Sequence, residues 1–281
     1  LAKLRLDALL LKKGLVASRE KARAVILAGE VKVNEVRVDK PGTKVDEEAE
    51  IKIESSRLRY VSRGGLKLEK AIREFEVDFL NKVVLDVGAS TGGYTDCAIK
   101  HGAKKVYALD VGYGQLDWSL RNDFRVVNLE KTNIRYFTVE ELGELVDIIT
   151  VDVSFISVSK VFPVLKDFIN EEGVIISLIK PQFEAGRDKV GKKGVVRDAD
   201  VHKQVLLDCI GYARKEGLFC VGVSYSPLKG PQGNIEYFIC LKKRAASIEN
   251  IEGTVGEVVE EAHQQLGGQE TGEDTSGKQQ V

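Results

Sequence analysis

The chain has 281 residues, is 43% hydrophobic and carries a net charge of −1, which is enough material for two domains with real cores. No apolar run approaches the length of a bilayer-spanning helix and the N-terminus reads as a charged amphipathic helix rather than a leader, so a cytoplasmic protein with no membrane partner is expected. Cys97, Cys209, Cys220 and Cys240 form no CxxC pair and the three histidines are scattered, which argues against a zinc site, a disulfide framework or metal catalysis and for buried free thiols.

The near-neutral total hides a gradient. Residues 1–65 hold fifteen Lys or Arg against ten Asp or Glu, whereas residues 245–281 hold one against eight. A basic N-terminal module on a neutral body points to a polyanionic partner, although ordinary surface variation accounts for the charge equally well. Residues 4–13 read as a helix with Leu6, Leu9 and Leu10 on one face and Lys12 and Lys13 near its end. Ser18 is placed to cap a second helix whose apolar side is Ala22, Val25 and Ile26, and Gly29 to stop it. Val31, Val33, Val36 and Val38 straddle a turn at Asn34-Glu35, and Val45, Ile51 and Ile53 follow in a later strand.

Ser18-Arg19-x-x-Ala22 followed by Ile26-x-x-Gly29-x-Val31-x-Val33-Asn34 resembles the small RNA-binding module named after a small-subunit ribosomal protein and shared with pseudouridine synthases. The resemblance implies a small α+β RNA-binding domain over residues 1–54. Arg19 and Arg23 are four apart on one helix face, and Lys12, Lys13 and Lys32 would complete a basic stripe for phosphates. No aromatic interleaves with these charges, so the module is expected to read backbone shape rather than stacked bases. Residues 55–65 read as a linker carrying Arg57, Arg59 and Arg63, with Tyr60 either stacking or pinning the domains together.

A helix follows from Leu66 to Phe75 with Leu68, Ile72 and Phe75 as its stripe; Lys67, Lys70 and Glu74 fall off it, and spacing alone puts Lys67 in solvent. Strand and helix then alternate as in a doubly wound α/β sheet: strands over residues 83–87, 105–110, 125–129, 148–153 and 174–179, with helices including 94–101 and 158–168. Segments 219–225 and 235–241 replace the final helix with a hairpin, as in methyltransferase versions of this Rossmann-like fold. Residues 66–244 thus form the second domain, and 245–281 an acidic, largely disordered tail with a weak helix over 251–266.

Within that body, Asp86-Val-Gly-Ala-Ser-Thr-Gly-Gly-Tyr follows the apolar run Val83-Val84-Leu85 and makes a strand, a glycine-rich turn and a helix start. Gly88, Gly92 and Gly93 would turn the chain tightly and let a ligand approach. Asp86 disfavours a phosphate there and favours a cationic or hydroxyl-bearing ligand. Asp86, Asp110 and Asp152 stand at successive strand ends, and Asp110, 24 residues after Asp86, is where an acid accepting ribose hydroxyls belongs. Lys180 follows the fifth strand and Glu236 begins the last; a lysine there is costly unless paired or working, Asp152 at the neighbouring strand end is its candidate partner, and a plain buried salt bridge is the alternative to a role in chemistry.

Asp86-x-Gly88-Ala89-x-x-Gly92-Gly93 looks like the cofactor motif of the FtsJ-type ribose 2′-O-methyltransferases, and Lys67, Asp152, Lys180 and Glu236 fall in the order of that family's Lys-Asp-Lys-Glu tetrad. With the phrases Tyr60-Val61-Ser62-Arg63-Gly64-Gly65-x-Lys67, Val151-Asp152-Val153-Ser154-Phe155 and Lys180-Pro181-Gln182-Phe183-Glu184, residues 3–244 resemble the TlyA, or hemolysin A, type of ribosomal RNA methyltransferase. The resemblance implies S-adenosylmethionine as cofactor and ribosomal RNA or ribosomal subunits as partner; a monomer is expected. On that reading Gly88, Ser90, Gly92 and Gly93 form the cofactor turn, Asp86 faces the methionyl end and Asp110 the ribose, while Asn128, Glu130 and Asn133 are candidates for the adenine edge. Lys180 would take the hydroxyl proton, with Asp152 orienting it, Lys67 as a second cation nearby, and Glu236 positioning either Lys67 or the hydroxyl. The basic loop 185–197, including Lys192 and Lys193, would close over RNA or simply be solvated. The alternatives are a non-catalytic RNA-binding assembly factor and a membrane-active hemolysin.

Overall fold

The computed structural model describes residues 3–16, 19–27, 31–53, 59–191 and 194–267. It divides into two compact units, Leu1–Arg59 and Tyr60–Val281. The first contains β1 (Lys3–Arg5), α1 (Leu6–Lys12), α2 (Arg19–Leu27), β2 (Val31–Val33), β3 (Val36–Arg37), β4 (Lys44–Asp46) and β5 (Ile51–Ile53). The first helix is shorter than expected, because Lys3–Arg5 pairs antiparallel with β4 before the chain turns helical. Leu6, Leu9, Leu10, Ala22, Ile26, Val31 and Val45 make the core of this unit, so the stripes read from the sequence are the buried faces. Asn34 and Glu35 both have positive φ (49° and 65°), and Asn34 Oδ1 accepts the Glu50 amide at 2.9 Å. Asparagine tolerates that backbone region, and the tight turn follows. The cap Ser18 and the stop Gly29 lie outside the described residues.

The second unit runs α3 (Gly64–Glu74), β6 (Val83–Val87), α4 (Gly93–Lys100), β7 (Lys105–Leu109), α5 (Trp118–Arg121), β8 (Val126–Leu129), α6 (Val139–Leu142), β9 (Val146–Val151), α7 (Phe162–Phe168), β10 (Ile169–Ile179), α8 (Pro181–Glu184), α9 (Ala199–Lys215), β11 (Phe219–Tyr225), β12 (Tyr237–Lys242) and α10 (Ile251–Gly267). Its seven strands lie in the order β11-β12-β10-β9-β6-β7-β8. The strands from β6 to β10 are parallel, and β12 enters antiparallel between β10 and β11. Parallel strands need apolar side chains on both faces, and β6 and β9 supply near-continuous runs of them.

Three expectations need correcting. Tyr60 is buried in the second unit against Leu68, Phe79 and Tyr94, so residues 60–65 belong to that unit and not to a linker. Lys70 is also buried, its ammonium 3.2 Å from the centre of the Tyr225 ring and 3.6 Å from Glu74; a partner on a distant strand draws in a lysine that helix spacing places outside. The helix expected over 251–266 is present as α10, but it belongs to the core of the second unit and not to a separate tail. In α10, Val255, Val259 and Ala262 recur at helical spacing and are buried, packing in the main core with α9 and β11. All four cysteines are buried free thiols.

His202 on α9 joins three of these pieces. Fully buried, its Nδ1 lies 2.8 Å from the Tyr237 hydroxyl and 3.0 Å from Nε2 of His263 on α10, and its Nε2 lies 3.1 Å from the Val196 carbonyl. Burial, then the charge of His263, holds the imidazole down to about 4 from an ordinary 6.5. The unfolded chain therefore binds a proton at this position that the folded chain refuses between those values. The stabilisation is whole above 6.5 and lost as pH falls through 4, about 3 kcal/mol in all. Denaturant melts of the parent and His202→Gln should show a stability difference that shrinks by that amount from pH 7 to 4; a constant difference would refute it.

Candidate active site

The turn after β6 is shaped by the chain's own backbone. Gly88 has φ +88°, and a Cβ there would lie 2.5 Å from the Asp152 carbonyl oxygen. At Gly93 a Cβ would meet Ser62 Oγ at 2.3 Å and Gly65 N at 2.9 Å. Gly93 is therefore needed for helix α4 to pack on the start of α3, a use that differs from the ligand approach its position suggests. Gly92 precedes α4 in a left-handed conformation.

Asp86 does not reach the ligand side either. It is fully buried and accepts hydrogen bonds from the hydroxyls of Thr95 at 2.7 Å and Thr150 at 2.9 Å. Desolvation outweighs these bonds and pushes its carboxyl up to about 6. It ties β6, α4 and β9 together beneath the turn. Asp110 does face outward: its two oxygens accept the backbone amides of Ser90 at 2.8 Å and Gly112 at 2.7 Å.

A cavity of about 1200 Å³ opens at the carboxyl ends of the parallel strands, with Gly88, Ser90, Asp110, Asn133, Asp152 and Gln182 in its wall. Such a crevice is where open α/β sheets bind ligands. Asn133 is at this wall, but Asn128 and Glu130 are not. Glu130 instead accepts the amides of Gly114 at 2.8 Å and Gln115 at 3.2 Å and pairs with Arg121, bracing the loop after β7.

Beside the cavity, two lysine–carboxylate pairs form across long stretches of chain. Lys180, the residue after β10, has its Nζ 2.6 Å from Asp152 Oδ1 and donates to Ser154 Oγ at 2.8 Å. Lys67 on α3 donates to Glu236 Oε2 at 2.5 Å, with Glu236 fully buried and its Oε1 without a partner among the described residues. The parallel strands β9 and β10 present Asp152 and Lys180 at their carboxyl ends. Because β12 runs the other way, its leading end brings Glu236 to the same rim. The register places the pairs in one neighbourhood, because Ile179 faces Tyr237 and so Lys180 and Glu236 leave adjacent strands at the same end. The buried Tyr94 hydroxyl, with no hydrogen-bond partner among the described residues, is pushed well up, first by burial, then by the charges of Asp152, Glu236 and Asp86.

Sequence reasoning passed over Tyr94, Ser154, Gln182 and Phe155. Phe155 is 91% exposed at φ +63° and sits 5.0 Å from the ring of Phe183 at the cavity wall. A bulky residue in that backbone region is uncommon and marks functional sites. The signal was the aromatic at the end of Val151-Asp152-Val153-Ser154-Phe155, read only as part of a phrase.

The expected RNA-binding residues divide. Arg19 and Arg23 converge with Arg5 on the buried carboxylate of Asp7, at 3.4, 3.9 and 3.0 Å. The Arg5 hydrogen bond, above all, holds Asp7 down to about 2. Three guanidiniums around one carboxylate leave surplus positive charge at the surface. Lys12 pairs instead with Glu47 at 2.7 Å. Arg59 and Arg63 are exposed, and Lys192 and Lys193 lie outside the described residues.

The family of FtsJ-like methyltransferases matches residues 60–243, and the S4 domain matches residues 4–51. The chain belongs to the FtsJ-like methyltransferases. Among relatives, the YqxC protein of Bacillus subtilis is 49% identical over 93% of this chain and 95% of its own. The 16S/23S rRNA (cytidine-2′-O)-methyltransferase TlyA of Mycobacterium tuberculosis is 43% identical over 92% and 97% respectively. A solved structure of a hemolysin-type protein from Streptococcus thermophilus superposes with a TM-score of 0.76 at 41% identity, covering 94% of this chain and 97% of that one. No helix among the described residues of this methyltransferase is long and apolar enough to cross a membrane.

Proposed function

We propose that the chain transfers a methyl group from S-adenosylmethionine to a ribose 2′-hydroxyl of ribosomal RNA, with cytidine as the acceptor nucleotide and the S4 domain as an RNA-binding module. The pairing of Lys180 with Asp152 and of Lys67 with Glu236 around Tyr94, beside the cavity, is the observation that carries this reading. The residues at the cavity suit the cofactor. Each oxygen of Asp110 holds one backbone amide and keeps lone-pair capacity for the ribose hydroxyls, and Gly88 and Ser90 stand beside it in the wall. When bound there, S-adenosylmethionine supplies an electrophilic methyl on a positively charged sulfur.

The protein's part is to bring the acceptor oxygen into line and take its proton. Lys180 Nζ, entering the step as the neutral amine after its own proton has passed to solvent, receives that proton while Asp152 and Ser154 hold the nitrogen in place. Lys67, anchored by Glu236, sets positive charge beside the oxygen as it becomes negative. The exposed Phe155 offers a ring face to the base of the incoming nucleotide. A non-catalytic assembly factor would need no lysine held at the cavity by both a carboxylate and a hydroxyl.

The test is to incubate the protein with unmodified ribosomal subunits and with free ribosomal RNA in labelled S-adenosylmethionine, then map the label. Incorporation at a cytidine 2′-oxygen is expected. Absence of label from both subunits and free RNA would end the proposal, and label on a base would reassign the acceptor.

A further inference from the structure

The S4 unit, residues 1–59, contains no Phe, Tyr or Trp, so its contact with RNA rests on charge and backbone shape alone. The methyltransferase unit exposes aromatics in quantity along one edge. Tyr113, Trp118, Phe124 and Tyr136 are 72, 76, 94 and 74% exposed. All four lie in the segments flanking β8, the last strand of the sheet. Singly exposed apolar residues are ordinary, but three rings at the carboxyl end of this edge, Tyr113, Trp118 and Tyr136, are not; Phe124 stands at the other end, before β8 begins.

Cations accompany these rings. Lys131 Nζ lies 4.4 Å from the Tyr113 ring centre, and the Arg135 and Arg125 guanidiniums lie 5.1 Å and 5.8 Å from Tyr136 and Phe124. Arg125 is compensated by Asp123. No carboxylate pairs with Lys131 or Arg135 among the described residues, and Arg135 Nε has no hydrogen-bond partner there. The backbone beneath is held firmly: Lys131 donates its amide to Gly112, Thr132 to Asp110, and Glu130 clamps Gly114, Gln115 and Arg121. The edge runs into the cavity wall, which Val111 and Arg135 also line.

We propose that this edge is a stacking surface for unpaired nucleotides of the RNA that flank the one entering the cavity. Ring faces accept bases whatever their sequence, and the cations beside them take the phosphates between. A second copy of the chain would also draw on aromatics and Arg, but RNA is favoured because the edge is continuous with the cavity wall through Val111 and Arg135. The proposal rests on the reading that RNA is the substrate.

Trp118 is the chain's one tryptophan, so the protein's own emission reports from this edge. The full chain, saturated with S-adenosylhomocysteine to fix the cofactor cavity, is titrated with unlabelled single-stranded RNA and, separately, with duplex RNA. The anisotropy of an end-labelled copy follows total binding. Single-stranded RNA is expected to quench Trp118, and Trp118→Ala to weaken its binding about tenfold while Trp118→Phe keeps most of it. Binding with unchanged emission, or an alanine variant as tight as the parent, would overturn the stacking surface and leave the methyltransferase reading standing. No RNA binding by anisotropy would remove both. Emission that shifts with protein concentration alone, together with a sedimenting dimer, would make the edge an interface between copies and overturn the proposal.

Discussion

Lys180→Ala is expected to lower methyl transfer by about two orders of magnitude or more, the usual scale for loss of a positioned acid–base group, while S-adenosylmethionine binds as before. The separation is structural: Asp110 and the turn at Gly88 stand in the cavity wall, whereas Lys180 is engaged with Asp152 and Ser154 beside it. Lys180→Arg sharpens the test. Arginine keeps the positive charge and the ion pair with Asp152, yet it cannot give up its proton in water at any working pH. If Lys180 accepts the hydroxyl proton, arginine is as inactive as alanine. An active arginine variant would assign Lys180 the stabilisation of charge instead, and an active alanine variant would remove it from the chemistry. Rates come from labelled methyl transfer and cofactor affinity from calorimetry.

Glu236→Ala is expected to have the largest effect on the fold. The carboxylate is fully buried and holds Lys67, whose side chain is only 13% exposed. Removing one partner leaves an ammonium in the interior with nothing to offset its desolvation, a cost of about 3–5 kcal/mol for a buried pair. Lys67→Ala should cost a similar amount by stranding Glu236. The double variant should be markedly more stable than the sum of the two losses predicts, because it strands neither charge. Denaturant melts of the four proteins measure this, and strict additivity would show that the two side chains do not support one another. All three variants should have lost activity.

The sheet was legible because buried parallel strands write themselves as apolar runs, and Val83–Val87 and Val146–Val151 are of that kind. The tetrad was legible only through resemblance to a family. Helix spacing sent Lys67 and Lys70 to solvent, since periodicity reports the near neighbours of a side chain and not a partner on a strand more than 150 residues away. The glycine turn shows the same limit: its composition announced a site, but whether Gly93 makes room for a ligand or for Gly65 depends on another helix. Asp86 marked the right strand end and turned out to lie beneath the site. In the tail, the helix over 251–266 was legible, but acidic composition obscured that Val255, Val259 and Ala262 pack it into the main core.

The reversed direction of β12 has a consequence for how the protein is made. Lys67 meets Glu236 across 169 residues of chain. At a synthesis rate of roughly 5–20 residues per second, the lysine emerges on the order of 10–30 seconds before its carboxylate. A nascent chain can therefore carry the S4 domain and every residue of the cavity wall before it has Glu236, the anchor of Lys67. Translation of the last strand completes both the sheet between β10 and β11 and the Lys67–Glu236 pair in one step.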